Sequence, residues 1–177
     1  MSITKETLEK IVSNNNPADL VFIETGTWIG DTIQKALDIG FKEIKSIELS
    51  VDLFNKARQR FKNNINVCLY NGDSAEQMQN IIYDISDKIV FWLDAHYSGG
   101  ETALGKQICP LYAELDVISK HKRNDHIILI DDIRDVHNGY MRVTLNELIQ
   151  KLKLINPDYK IYYVDGHTKN DILVAFI

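Results

Sequence analysis

Two kinds of apolar pattern alternate along the chain. Compact apolar runs bounded by glycine, asparagine or aspartate predict strands at Leu20–Glu24, Glu43–Leu49, Asn66–Tyr70, Lys88–Leu93 and His126–Ile130. Between them apolar residues recur every three or four positions. That spacing predicts helices at Asp31–Ile39, Val51–Lys62, Ala75–Ile85, about Pro110–Lys120 and roughly Met141–Leu154. Gly40 suits a helix C-cap, Ser50 an N-cap and Pro110 a first helical turn. A short amphipathic helix at Thr4–Ser13 carries Ile3, Leu8, Ile11 and Val12 on its apolar side and stops at Asn14-Asn15-Asn16-Pro17.

The end of the chain breaks this alternation. Tyr159–Val164 and Ile172–Ile177 read as two strands joined by the polar turn from Asp165 to Asp171, which makes an antiparallel hairpin. Five β–α repeats followed by a hairpin predict an α/β fold: a mainly parallel, seven-stranded sheet with helices on both faces and a C-terminal antiparallel β-hairpin. No repeat, low-complexity tract or linker divides the 177 residues, so residues 1–177 are expected to form a single domain.

Composition narrows the classes. At 45% hydrophobic residues the chain is globular rather than disordered. A net charge of −5, with His121-Lys122-Arg123 as the longest basic run, argues against a broad nucleic-acid surface. Cys68 and Cys109 are too few for a disulfide framework and are expected to be reduced and at least partly buried. The opening MSITKETLEKIV is charged every few residues, unlike a secretion signal, and no apolar run reaches the length of a membrane span. The expected setting is soluble and cytoplasmic, with no membrane and no nucleic acid as partner.

In a sheet of this kind ligands bind at the carboxyl ends of the strands, so those ends are where chemistry is sought. The first strand ends in Glu24-Thr25-Gly26-Thr27-Trp28-Ile29-Gly30. Gly26 lets the backbone approach a ligand and Gly30 lets the next helix approach the sheet, although a ligand-free corner explains the same glycines. Glu48, at the end of the second strand, is placed to accept hydrogen bonds from two ribose hydroxyls, or else is a solvated carboxylate at a helix start. Asp73, in Asn71-Gly72-Asp73-Ser74, suits an exocyclic amine or the N-cap of the following helix. The fourth strand leads to Asp94-Ala95-His96 and the fifth to Asp131-Asp132. Three carboxylates converging there repel one another unless neutralised. A divalent cation such as magnesium, manganese or calcium would do that; so would pairing with Arg134. His96 beside them is a candidate general base or further ligand, against the plain alternative of a polar surface residue.

These strand ends together resemble a class I S-adenosylmethionine-dependent methyltransferase over nearly the whole chain. Glu24, Gly26 and Gly30 match the signature acidic-x-Gly-x-Gly-x-Gly, and Trp28 stands at the middle glycine. The form Glu-Thr-Gly-x-Trp-x-Gly is similar to that of the macrocin-type sugar O-methyltransferases. In that family an Asp after strand four and an Asp-Asp pair after strand five bind metal, and Asp94, Asp131 and Asp132 match these positions. The resemblance implies a Rossmann-like three-layer sandwich, with S-adenosyl-L-methionine and Mg2+ or another divalent cation as cofactors. Gly26 and Gly30 would line the methionine part, Glu48 the ribose, and Asp73 with Ser74 the adenine. Glu24, Thr27 and Ser50 complete the implied cofactor-binding set. Asp94, Asp131 and Asp132 would hold the metal beside a hydroxylated small molecule, such as a sugar, and His96 or Asp94 would take its proton. The loop from Tyr97 to Cys109, with Gly99, Gly100 and Gly105, would cover the substrate. With only one short N-terminal helix to shape the acceptor pocket, a partner subunit in a homo-oligomer could complete it. The competing expectation is a non-catalytic methyltransferase-fold binding module. A nicotinamide dehydrogenase ranks lower, because the loop lacks Gly-x-Gly-x-x-Gly.

Overall fold

A computed structural model describes residues 3–97, 105 and 108–177. Its strands are β1 (Leu20–Thr25), β2 (Glu43–Glu48), β3 (Val67–Asn71), β4 (Lys88–Leu93), β5 (Ile127–Ile130), β6 (Lys160–Val164) and β7 (Ile172–Phe176). They form one seven-stranded sheet in the order β3-β2-β1-β4-β5-β7-β6. The first five are parallel; β7 runs antiparallel to both β5 and β6. The terminal hairpin therefore inserts its second strand, not its first, against the parallel sheet.

The helices are α1 (Lys5–Val12), α2 (Asp31–Ile39), α3 (Val51–Arg60), α4 (Ser74–Ile82), α5 (Leu111–Ile118), α6 (Ile133–His137) and α7 (Leu145–Ile155). The apolar run of β1 shows why there are three layers. Val21 and Ile23 join one core with Met78 of α4, Leu115 of α5 and Leu148 of α7. Leu20 and Phe22 join the opposite core with Leu8 of α1 and with Ile33 and Ala36 of α2. A strand buried on both faces reads as continuous hydrophobicity, and that is the pattern seen. Both cysteines are free, Cys109 buried and Cys68 partly so. Among the described residues no helix is long and apolar enough to cross a membrane.

Two elements differ from the sequence reading. The five-residue α6 is too short to display a helical period. The last long helix begins at Leu145 rather than Met141, because Thr144 caps it: its Oγ1 accepts from Glu147 N at 3.3 Å and bonds the Glu147 carboxylate at 2.5 Å. The remaining ends coincide or move by one to three residues.

His126, just before β5, is fully buried. Its Nδ1 accepts from Ile89 N at 3.1 Å, so its Nε2 carries the proton and faces His121 Nδ1 at 2.8 Å. His121 Nε2 then donates to the Ile85 carbonyl at 3.0 Å. A second proton on His126 has no acceptor, and burial together with His121 depresses its pKa from 6.5 to about 3. The unfolded chain takes up that proton first as pH falls. His126 thus stabilises the fold above pH 6.5 and loses that contribution progressively down to about pH 3, at about 1.4 kcal/mol per pH unit. His126→Asn keeps an acceptor near Ile89 N but cannot titrate. In urea denaturation from pH 7 to 4, wild type should lose stability relative to this variant at about that slope. Parallel pH profiles would show the assignment to be wrong.

Candidate functional site

The loop after β1 is built from three left-handed residues: Gly26 (φ 85°), Trp28 (φ 47°) and Gly30 (φ 82°). Gly26 N donates to Ile47 O of β2 at 2.9 Å, and Asp94 N donates to Thr25 O at 3.1 Å. The exits of β1, β2 and β4 are thereby drawn together. Gly30 serves a different approach from the one expected. Its open side faces the Phe61 ring at the end of α3, where a Cβ would lie 2.5 Å from Cε2, rather than the sheet. The reason is local: Gly30 is the N-cap of α2, and α3 packs alongside that corner.

Beneath this loop Glu24 is 1% exposed. Ser46 Oγ donates to Glu24 Oε2 at 2.5 Å and shares a 2.6 Å bond with Thr27 Oγ1. Burial pushes the Glu24 pKa up to about 8, against the lowering effect of the Ser46 bond. Glu48 accepts from Trp28 N on Oε2 at 2.9 Å and from Ser50 N on Oε1 at 2.8 Å. Each oxygen keeps a second lone pair. The Trp28 amide thus organises the loop while its side chain stays outside the core, with the residue 54% exposed. Ser50 caps α3, its Oγ accepting from Leu53 N. Asp73 caps α4, with Oδ1 accepting from Ala75 N and Glu76 N. Ser74 is buried, and its hydroxyl faces the buried Glu114 carboxyl.

Across the sheet, ligand atoms of Asp94, His96 and Asp132 lie within 4.8 Å of one another, and so do those of Asp131, Asp132 and Asp171. The three predicted carboxylates therefore divide between two sets that share Asp132. His96 Nδ1 is 3.6 Å from Asp94 Oδ1, and its Nε2 is 3.1 Å from Asp132 Oδ2. Desolvation lowers the His96 pKa, while Asp132 and Asp135 oppose that shift. Burial first, then Asp131 and Asp132, lifts Asp94 well above the usual carboxylate range. Burial and Asp132 push Asp131 to about 7. Arg134 supplies compensating charge: its Nη1 lies 2.5 Å from Asp132 Oδ1 and also contacts Asp171 Oδ2. Hard oxygen donors with one imidazole form a set that could hold magnesium or manganese. The expected covering loop falls mostly on residues 98–104 and 106–107, outside the described residues. Its ends are joined by Tyr97 N donating to Ile108 O at 2.8 Å.

Sequence reasoning missed Asp171 and Glu114. Glu114 is 1% exposed, and burial pushes its pKa up to about 7 against the opposing influence of the Ser74 and Thr25 hydroxyls. It was legible in principle, since it falls on the stripe of Leu111, Leu115 and Ile118. Asp171 carried no such signal, because its partner Arg134 lies 37 residues away.

No protein-family profile and no curated protein matches the sequence. Solved structures do match. A Staphylococcus aureus protein, provisionally designated a caffeoyl-CoA O-methyltransferase, superposes with a TM-score of 0.65 at 14% identity, over 97% of this chain and 81% of that one. An O-methyltransferase from Bacillus cereus in complex with S-adenosylhomocysteine gives 0.61 at 17% identity, over 98% and 80%. A Streptococcus mutans protein, provisionally designated a methyltransferase and also in complex with S-adenosylhomocysteine, gives 0.67 at 12% identity, over 100% and 99%. The chain has the class I methyltransferase fold. Within this methyltransferase fold Glu24, Gly26 and Glu48 gather at the ends of β1 and β2, and Asp94, His96 and Asp132 at the ends of β4 and β5.

Proposed function

We propose that this chain transfers a methyl group from S-adenosylmethionine to a hydroxyl of a small molecule, a sugar or related saccharide, with assistance from a divalent cation. The observation supporting this reading is the convergence of Asp94, His96 and Asp132 at the ends of adjacent strands, across β1 from Glu48. Glu48 accepts the ribose hydroxyls through its remaining lone pairs. Gly26 and Gly30 line the methionine part, with Glu24, Thr27 and Ser50 around them. Ser74 and Asp73, at the start of α4, receive the adenine. Asp94 and Asp132, with Asp131 behind them, are the cation's ligands.

A divalent cation bound there supplies Lewis-acid chemistry that lowers the pKa of the acceptor hydroxyl. His96 is kept neutral by burial and takes the hydroxyl proton on a ring nitrogen, and Asp132 and Asp135 stabilise the imidazolium. The acceptor oxygen attacks the methyl carbon as the carbon–sulfur bond breaks, and sulfur leaves with the bonding pair as S-adenosylhomocysteine. Positioning supplies much of the rate.

Calorimetric titration of S-adenosylmethionine, with and without Mg2+, tests the reading alongside methyl transfer to a panel of sugar and catechol acceptors. Asp94→Asn should keep cofactor affinity and lose about 100-fold in kcat/KM. Failure of the wild type to bind S-adenosylmethionine sinks the proposal. A second reading, a non-catalytic binding module, is favoured by Arg134, which already neutralises part of the carboxylate cluster. Cofactor binding without turnover on any acceptor in the panel would support it.

A further inference from the structure

We infer that Asp171 is a positioning residue for the cation site. From the terminal hairpin it holds the Arg134 guanidinium, so that Arg134 steadies one oxygen of Asp132 and leaves the other to a cation. This rests on the function proposed above.

Asp132 occupies the left-handed region at φ 57°, which is unusual for a residue with a side chain. Its two oxygens are used differently. Oδ1 lies 2.5 Å from Arg134 Nη1, and Oδ2 faces His96 Nε2 at 3.1 Å. Which oxygen Arg134 grips is set from the other side. The Asp171 side chain is fully buried, yet it is well satisfied. Its Oδ1 accepts from Arg134 N at 3.1 Å, and its Oδ2 accepts from Arg134 Nη1 and from Thr168 N at 3.3 Å. The Asp171 carbonyl accepts from Ile133 N at 2.8 Å. The turn after β5 is thus pinned by the residue that precedes β7.

A guanidinium is a planar fork whose natural partner is a whole carboxylate held through two parallel bonds. With Asp171 drawing on the same nitrogen, the nearest approach of Arg134 to Asp132 is Nη1 to Oδ1. Without the Asp171 charge, the fork would close on both Asp132 oxygens and compete directly with a cation. Loss of orientation and gain of competition act in the same direction. Arg134 also accounts for the second acidic set, because it already bridges two of its three members, so no second ion is invoked there.

The test is Mn2+ binding to the full chain, followed by electron paramagnetic resonance of the free ion, with S-adenosylhomocysteine affinity as a check on the fold. Asp171→Asn should weaken Mn2+ about 100-fold and leave S-adenosylhomocysteine affinity within about threefold. The paired variant Asp171→Asn with Arg134→Gln removes the buried charge and the competing fork together. It should recover to about tenfold below wild type, and it decides the matter if the single variant does not fold. A structural brace alone would lower the melting temperature without moving Mn2+ affinity. Wild-type Mn2+ affinity in either variant overturns the inference and leaves the proposed function standing. No Mn2+ binding by the wild type defeats metal assistance and this inference together.

Discussion

Glu24→Gln is expected to stabilise the chain at neutral and alkaline pH, although it alters the acidic residue of the first strand's loop. Glu24 is buried, and its folded pKa of about 8 stands above its ordinary 4.5. A group raised in this way contributes its full stability below pH 4.5 and loses it as pH rises through 8. Above pH 8 the folded state holds a desolvated charge at a cost of about 5 kcal/mol. Glutamine cannot ionise and still accepts from Ser46 Oγ. The variant should match wild type near pH 4, gain about 1.4 kcal/mol per pH unit above 4.5, and level off near pH 8. In thermal melts the plateau should appear as a rise of about 10 °C in Tm. Tm curves that run parallel from pH 4 to 9 would mean that Glu24 is not held protonated. Under the proposed function the same change should, above pH 8 where Glu24 is ionised, weaken binding of cationic S-adenosylmethionine more than that of neutral S-adenosylhomocysteine. Under that proposal, a buried carboxyl that costs stability at the loop after β1 is the stability–function conflict expected of a working site.

Gly26→Ala should be among the most damaging single substitutions. A Cβ there would overlap the Asp94 carbonyl oxygen and lie 2.9 Å from its carbonyl carbon and 3.2 Å from Ala95 Cα. These are backbone atoms of a neighbouring strand exit, held by the ladder that pairs Thr25 with Leu93, so they cannot rotate aside. The φ of 85° adds about 1 kcal/mol of strain. The combined cost should be about 3–4 kcal/mol, or about 10 °C in Tm. Gly40→Ala is the control. Its φ is 91°, but nothing lies within 4 Å of an added Cβ, so it should cost only about 1 kcal/mol. Equal melting temperatures for the two variants would remove the role assigned to close approach. Because the displaced atoms belong to Asp94, Gly26→Ala should also disturb the candidate cation site.

Much of the architecture is legible in the residues. Asp31–Ile39 and Lys88–Leu93 coincide with the observed α2 and β4, because their apolar patterns are long and their boundaries are marked by glycine or charge. Glu48, Asp94, His96 and Asp132 could be singled out because parallel α/β sheets bring their chemistry to strand ends. What stayed hidden depends on contacts between distant segments. The Trp28 amide on Glu48, the division of the carboxylates into two sets, and the grip of Asp171 on Arg134 follow no local pattern.

The sequence by itself determined the period of the longer elements, the two-faced burial of β1 and the set of ionisable residues at the strand ends. These are local properties, dictated by how side chains alternate along a strand or helix. Only the tertiary structure decided how those residues share their bonds. The antiparallel register pairs Ile130 with Leu173, and continuing it two residues brings Asp132 opposite Asp171. Two acidic residues can be set face to face there because Arg134 lies between them, and neither the register nor the bridging guanidinium is written in any periodicity.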